Sequence, residues 1–148
     1  MTKAEIIYNI EKDVFSSKES FSNNFSKPYS FDAIYQALKD KNKVFYLLKD
    51  RQLNEVVGYA ALIITPDYND IFSLAVKRRF QKLGYGKKLM QWVAKKSVGK
   101  KVFLEVYDQN EPAIKLYKSS GYKIIDKRQN YFGQGKNALI MVKEVDKT

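Results

Sequence analysis

The stretch Leu74-Ala75-Val76-Lys77-Arg78-Arg79-Phe80-Gln81-Lys82-Leu83-Gly84-Tyr85-Gly86 constrains the fold of this chain more than any other. An apolar strand segment feeds a basic turn with two glycines, and a helical pattern opens directly behind it. The first amides of a helix have no partner inside it and lie at the positive end of its dipole. A strand that enters a helix this way therefore builds a corner suited to a phosphate or pyrophosphate. Glycines at 84 and 86 permit φ > 0 and close approach of backbone to ligand, while Lys82, Lys87 and Lys88 add positive charge. Taken alone, Gly-x-Gly is a weak signal, and an ordinary turn accounts for the same residues.

Two nucleotide-binding folds are excluded by inspection. A P-loop needs Gly-Lys followed by Ser or Thr, with another glycine upstream; here Gly86-Lys87 precedes Lys88, and position 81 is Gln. A dinucleotide fingerprint needs a third glycine where this chain has Leu89.

The 148 residues suit one domain, 1–148, with a substantial core. Cysteine is absent, which removes disulfides, thiolate nucleophiles and cysteine metal sites. Histidine is absent too, so the commonest general base and metal ligand is missing, and no metal is expected. Proton transfer falls to carboxylate, phenol, amine or water. No uninterrupted apolar run approaches the roughly 18 residues of a membrane span, and no secretory leader is evident, so a cytoplasmic location is the expectation. The net charge of +11 fits an anionic partner such as nucleic acid, ribosome or a phosphorylated cofactor, and equally a lysine-rich solvated surface. Its spread through the chain does not decide between them.

Periodicity predicts helices over Ala4 to Phe15, Phe31 to Asp40 with Ser30 as N-cap, Lys87 to Val98 with Gly99 as the stop, and Glu111 to Ser120 with Asn110 as N-cap. Strands are predicted at Val44 to Lys49, Glu55 to Thr65, Asp70 to Val76, Lys101 to Tyr107, Tyr122 to Ile125 and Asn137 to Lys143. Between the first two helices, Ser16 to Lys27 is rich in serine and asparagine, with Phe21 and Phe25 spaced for one helical face. The order implies a mixed, mostly antiparallel α/β sheet with helices on its faces.

Glu105 interrupts the strand Val102-Phe103-Leu104-Glu105-Val106, with apolar neighbours expected on both faces. A carboxylate there is unfavourable unless used or paired, and partial burial would raise its pKa toward that of a general base. The plain alternative is a strand-end glutamate facing solvent or a lysine. Tyr117, three residues after Ile114, is expected to face the sheet. Among 11 tyrosines, a core role is the ordinary reading for any one. The acid and the phenol gain weight from following the glycine turn in this order.

These residues resemble the GNAT superfamily of acetyl-CoA-dependent N-acetyltransferases, and within it the RimI-type enzymes that acetylate the N-terminal amine of a small-subunit ribosomal protein. The family's cofactor motif, Gln/Arg-x-x-Gly-x-Gly/Ala, is matched by Gln81-Lys82-Leu83-Gly84-Tyr85-Gly86, and its preceding strand by Leu74-Ala75-Val76. Leu104-Glu105-Val106, Asn110 and Leu116-Tyr117 match the RimI pattern, including the twelve-residue gap between acid and tyrosine. Pro28-Tyr29 stands where RimI-like chains carry Pro-Trp, and Asn130-Tyr131-Phe132 and Ala138 to Met141 resemble their C-terminal strands. The chain departs from the family in a short or missing leading strand, a long segment Ser16 to Lys27, and Lys136-Asn137 where an acidic pair is usual.

The resemblance implies the GNAT fold and acetyl-CoA as cosubstrate. Leu74, Ala75 and Val76 would pair with the pantetheine arm, one amide polarising the thioester carbonyl. The backbone of Gln81, Lys82, Leu83, Gly84, Tyr85, Gly86 and Lys87 would hold the pyrophosphate, and Asn110 the cofactor arm. Glu105 would deprotonate the acceptor through water, Tyr117 would protonate the departing thiolate, and Tyr131 would line the acceptor side. The implied acceptor is a protein N-terminal α-amine, with nucleic acid met only through the ribosome and no membrane partner. Two alternatives stay open: a GNAT enzyme acting on a small amine or a lysine side chain, and a non-catalytic basic nucleic-acid-binding module.

Overall fold

The computed structural model describes residues 1–15 and 29–146, so the serine-rich segment Ser16 to Lys27 and Pro28 lie outside the described residues. Helix α1 (Lys3–Val14) opens on a capping box, in which Thr2 and Glu5 each accept the other's backbone N–H. Helix α2 (Phe31–Lys39) opens on Ser30, whose hydroxyl accepts from the Ala33 amide, as expected of that serine. Strands β1 (Lys43–Asp50), β2 (Glu55–Ile64) and β3 (Tyr68–Val76) form an antiparallel meander. A short 3-10 turn (Arg78–Phe80) leads to α3 (Tyr85–Lys96), then β4 (Lys101–Tyr107), α4 (Glu111–Ser119), β5 (Lys123–Arg128) and β6 (Ala138–Glu144).

The strand order is β1-β2-β3-β4-β6-β5, and the β3–β4 pair is its parallel step. Helices cover both faces. On one, α3 and α4 pack on Leu62, Leu74, Val102, Leu104, Val106 and Met141. On the other, α1 and α2 pack on Tyr59, Ala61 and Ala75. Among the described residues no helix is long and apolar enough to cross a membrane.

Some expected boundaries shift, for identifiable reasons. Helix α3 begins at Tyr85, not Lys87, because Gly84 adopts φ 93° and serves as N-cap. It ends at Lys96 with Ser97 as C-cap, before Gly99, because the buried Ser97 is held by the Asn69 side chain. Strand β3 starts at Tyr68, where Asn69 bonds the end of α3 and pairs opposite Val102 of β4. Strand β5 runs to Arg128, since β6 offers a partner that far.

One irregularity positions the site. In β3, Ile71 stands opposite Leu62 and Ser73 opposite Ala61, so Phe72 is an extra residue, a β-bulge. Bulges re-aim side chains and end pairing. Here the β3–β4 ladder stops at Asp70↔Phe103, just before the bulge, and the two strands diverge.

Candidate active site

Strand β4 sends Val102, Leu104 and Val106 into the core with Tyr117, while Phe103, Glu105 and Tyr107 alternate to the opposite face. The expectation of apolar neighbours on both sides of Glu105 is therefore corrected. Its own face opens on a cleft of about 480 Å3 lined by Tyr29, Asp70, Phe72, Glu105, Tyr131 and Phe132, with Ile63 and Ile71 behind them. The Tyr131 hydroxyl lies beside the Glu105 carboxylate, and that interaction is the main reason the phenol holds its proton above its ordinary range. Tyr131 is 46% exposed, so the cleft is open at its rim.

Asp70 is the cleft residue that sequence reasoning missed. Burial, reinforced by the negative charge of Glu105, pushes its carboxyl up to about 6. The signal was present, since Asp70 interrupts Tyr68-Asn69-Asp70-Ile71-Phe72 much as Glu105 interrupts β4. Because the folded chain keeps this proton between about pH 4 and pH 6 while the unfolded chain sheds it, stability falls as pH rises through that window. The penalty is about 1 kcal/mol, discounted because the carboxyl opens into solvent. Asp70→Asn is expected to raise the melting temperature at pH 7.5 and leave it unchanged at pH 4; an equal shift at both would contradict the assignment.

Tyr117 lies on the other side of β4. It is 1% exposed, packed in the main core with its ring centroid 6.1 Å from that of Tyr122. Burial pushes its phenol far above the ordinary value, with the neighbouring Tyr122 adding to the effect. The structure thus brings Glu105 and Tyr131 together with Asp70 and sets Tyr117 apart, across the sheet. Pairing between β3 and β4 stops at Asp70, between the two sides.

At the end of β3, Gly58 of β2 faces Val76, and a Cβ at 58 would lie 2.7 Å from the Ala75 carbonyl oxygen. Only glycine admits β2 this close beside Leu74, Ala75 and Val76. The turn that follows is fastened by the Gln81 side chain, which donates to the Val76 carbonyl at 2.9 Å. Lys82 takes φ 64° and Gly84 φ 93°, left-handed conformations that turn successive amides toward one side. Around Gly84 no atom lies within 4 Å of where a Cβ would stand, so the space in front of this turn and of the α3 N-terminus is open. Exposed Leu83 and Lys87 flank it. Those features fit a pyrophosphate.

The two glycines differ. Gly86 lies within the first turn of α3 with no positive φ, and a Cβ there would meet Leu116 Cδ2 at 3.0 Å. Its smallness lets α4 approach α3, a packing role that the Gly-x-Gly pattern does not announce. Tyr85 is anchored by its hydroxyl, which donates to Asp50 at the end of β1. Asn110 is 2% exposed and caps α4, its Oδ1 accepting from the Ala113 amide at 3.3 Å.

Comparison with known proteins agrees with this geometry. The profile of the acetyltransferase (GNAT) family matches residues 5–122. The N-alpha-acetyltransferase daf-31 of Caenorhabditis elegans is 32% identical over 134 residues, covering 84% of this chain and 71% of that protein. The ribosomal protein bS18-alanine N-acetyltransferase of Haemophilus ducreyi is 32% identical over 111 residues, covering 70% and 77%. Among solved structures, the ribosomal-protein-alanine N-acetyltransferase of Escherichia coli superposes with a TM-score of 0.78 at 22% identity, covering 99% of this chain and 91% of that one, and so shares the fold. The chain belongs to the GNAT acetyltransferase family, the acetyl-CoA-dependent acyltransferases.

Proposed function

We propose that this enzyme acetylates the α-amine of protein N-termini, with a ribosomal protein as the first acceptor to test. The observation that carries the reading is the parting of β3 and β4 after Asp70↔Phe103, with an open acidic cleft on one face and a buried phenol on the other. The similarity to N-alpha-acetyltransferases and to a ribosomal-protein alanine acetyltransferase supports it. The open rim at Tyr131 suits a polypeptide better than a small polyamine, which a closed pocket would hold.

Acetyl-CoA supplies the activated acetyl group. Leu74 to Val76 bind its arm along β3, one of their amides serving as the oxyanion donor. The amides from Gln81 to Lys87 hold the diphosphate, and Asn110 holds the cofactor arm. Glu105, working through water, takes a proton from the acceptor ammonium. The amine attacks, the new C–N bond forms as the C–S bond breaks, Tyr117 provides the proton that sulfur gains, and the second proton leaving the nitrogen passes through water to restore the phenol. No covalent enzyme intermediate is needed, in keeping with a chain that has no cysteine.

An α-amine, with a pKa of about 7.7–8.0, is far easier to deprotonate than lysine at about 10.4, and suits a carboxylate base. The test is incubation with acetyl-CoA and peptides bearing free or blocked N-termini, some with internal lysines, followed by location of the added mass. Acetyl on the free N-terminus alone is expected. Label on blocked peptides through lysine, or on polyamines only, would overturn the reading.

A further inference from the structure

Beneath the acceptor cleft lies a carboxylate for which the chemistry above has no use. Glu11 is completely buried, on the inward stripe of α1 with Ile7, Ile10 and Val14. A buried carboxylate is destabilising unless its oxygens are bonded, and an apolar side chain of similar volume often serves packing better. Both oxygens of Glu11 are engaged. Oε1 accepts the backbone N–H of Tyr29 at 3.3 Å, and Oε2 accepts the Tyr59 hydroxyl at 3.0 Å. The Tyr59 oxygen in turn lies 2.7 Å from Ser73 Oγ. Because the Tyr59 proton goes to Glu11, Ser73 supplies the proton of that last bond.

The two ends of this network are neighbours in the cleft wall. The Tyr29 ring stacks on Phe72, with centroids 5.2 Å apart and planes 23° from parallel, and both rings line the cleft that holds Asp70 and Glu105. Phe72 is the bulge residue of β3, adjacent to Ser73. Glu11 therefore grips one wall residue by its backbone and the other through the hydroxyl of the next residue along. We propose that Glu11 is a positioning residue for the acceptor: it fixes the Tyr29–Phe72 wall against which the acceptor's first residue packs. This rests on the reading of the cleft as the acceptor site.

The test separates this role from mere stability. In Glu11→Met, which removes both acceptors, KM for an N-terminal peptide is expected to rise about tenfold, with kcat and the KM for acetyl-CoA within about twofold of wild type. Glu11→Gln is expected to restore the peptide KM. Its carbonyl can accept the Tyr29 N–H while its NH2 donates to Tyr59, whose own proton then passes to Ser73. Tyr29→Ala combined with Glu11→Met should be no worse than Tyr29→Ala alone, since both act through one wall. Additive effects, an equal rise in the acetyl-CoA KM, or an unmoved peptide KM beside a lowered melting temperature would overturn the proposal.

A second readout needs neither a variant nor activity. The wild-type Tyr29 amide is expected to exchange with deuterium about a hundredfold more slowly than an open loop amide. Exchange at the open-loop rate refutes the clamp, even if Glu11→Met fails to fold. A protected Tyr29 amide in a protein that acetylates no N-terminal peptide supports the clamp and refutes the acceptor reading instead.

Discussion

Glu105→Gln is expected to lower kcat/KM for an N-terminal peptide about a hundredfold at pH 7, and the loss is expected to shrink as pH rises. The amide keeps the shape of the side chain, so the cleft stays intact. What it loses is the capacity to take a proton. At pH 7 only about a tenth of an α-amine with a pKa near 8 is neutral, whereas by pH 9 nearly all of it is. A variant without the base should therefore recover about tenfold by pH 9. A lysine acceptor, at about 10.4, would gain about a hundredfold in neutral amine over the same range and keep gaining above pH 9, where the α-amine profile levels off, so the same profile tests the acceptor class. Affinity for acetyl-CoA, read by calorimetry, should be unchanged, because Glu105 and the Gly84 turn are built from different elements, β4 and the β3–α3 connection. An equal loss at pH 7 and pH 9 would remove Glu105 from the proton path. Asp70 gives a further check. Part of its upward shift comes from the Glu105 charge, so in Glu105→Gln its carboxyl should titrate below the wild-type value of about 6.

The sequence and the structure part company where chemistry depends on pairing between strands. Strand β4 and the start of α4 were legible to the residue, because Val102, Leu104 and Val106 alternate cleanly and Asn110 announces a cap followed by Pro112. Ser30 and the capped start of α2 were legible for the same local reason. The bulge at Phe72 was not, since no composition or spacing in Asp70 to Val76 signals an extra residue opposite β2. Without the bulge the parting of β3 from β4 cannot be foreseen, nor can the meeting of Asp70 with Glu105. The Tyr131–Glu105 contact joins the segment between β5 and β6 to β4, a distance that local patterns do not see. Gly86 illustrates the opposite error, a motif glycine that serves helix packing while its neighbour Gly84 supplies the turn. Glu11 was readable in principle. It shares the i, i+4 stripe with Ile7, and an acid on a buried stripe is the same anomaly that singled out Glu105.

Tyr117→Phe isolates the other half of the reaction, because it deletes one oxygen and preserves the ring that fills the core. Turnover is expected to fall about a hundred- to a thousandfold, equivalent to roughly 3–4 kcal/mol of transition-state stabilisation, with the KM of both substrates nearly unchanged. The melting temperature should move by only a few degrees, since Tyr122, Leu104 and Val106 still pack against the same ring. The raised proton affinity of Tyr117 shapes what its hydroxyl can do. A phenol this reluctant to ionise cannot release its proton early. In the proposed mechanism it would act as a hydrogen-bond donor that strengthens as negative charge gathers on sulfur, and would transfer late, when the C–S bond is nearly broken. Two consequences follow for the wild type. Its kcat should be flat from pH 7 to above pH 9, with no alkaline limb at the ordinary tyrosine value near 10. The thiolate leaving group should also make chemistry, not product release, the step that slows in the variant, so single-turnover and steady-state rates should converge in Tyr117→Phe. If turnover in Tyr117→Phe stays within about threefold of wild type, the phenol is a core residue and the leaving sulfur takes its proton from elsewhere.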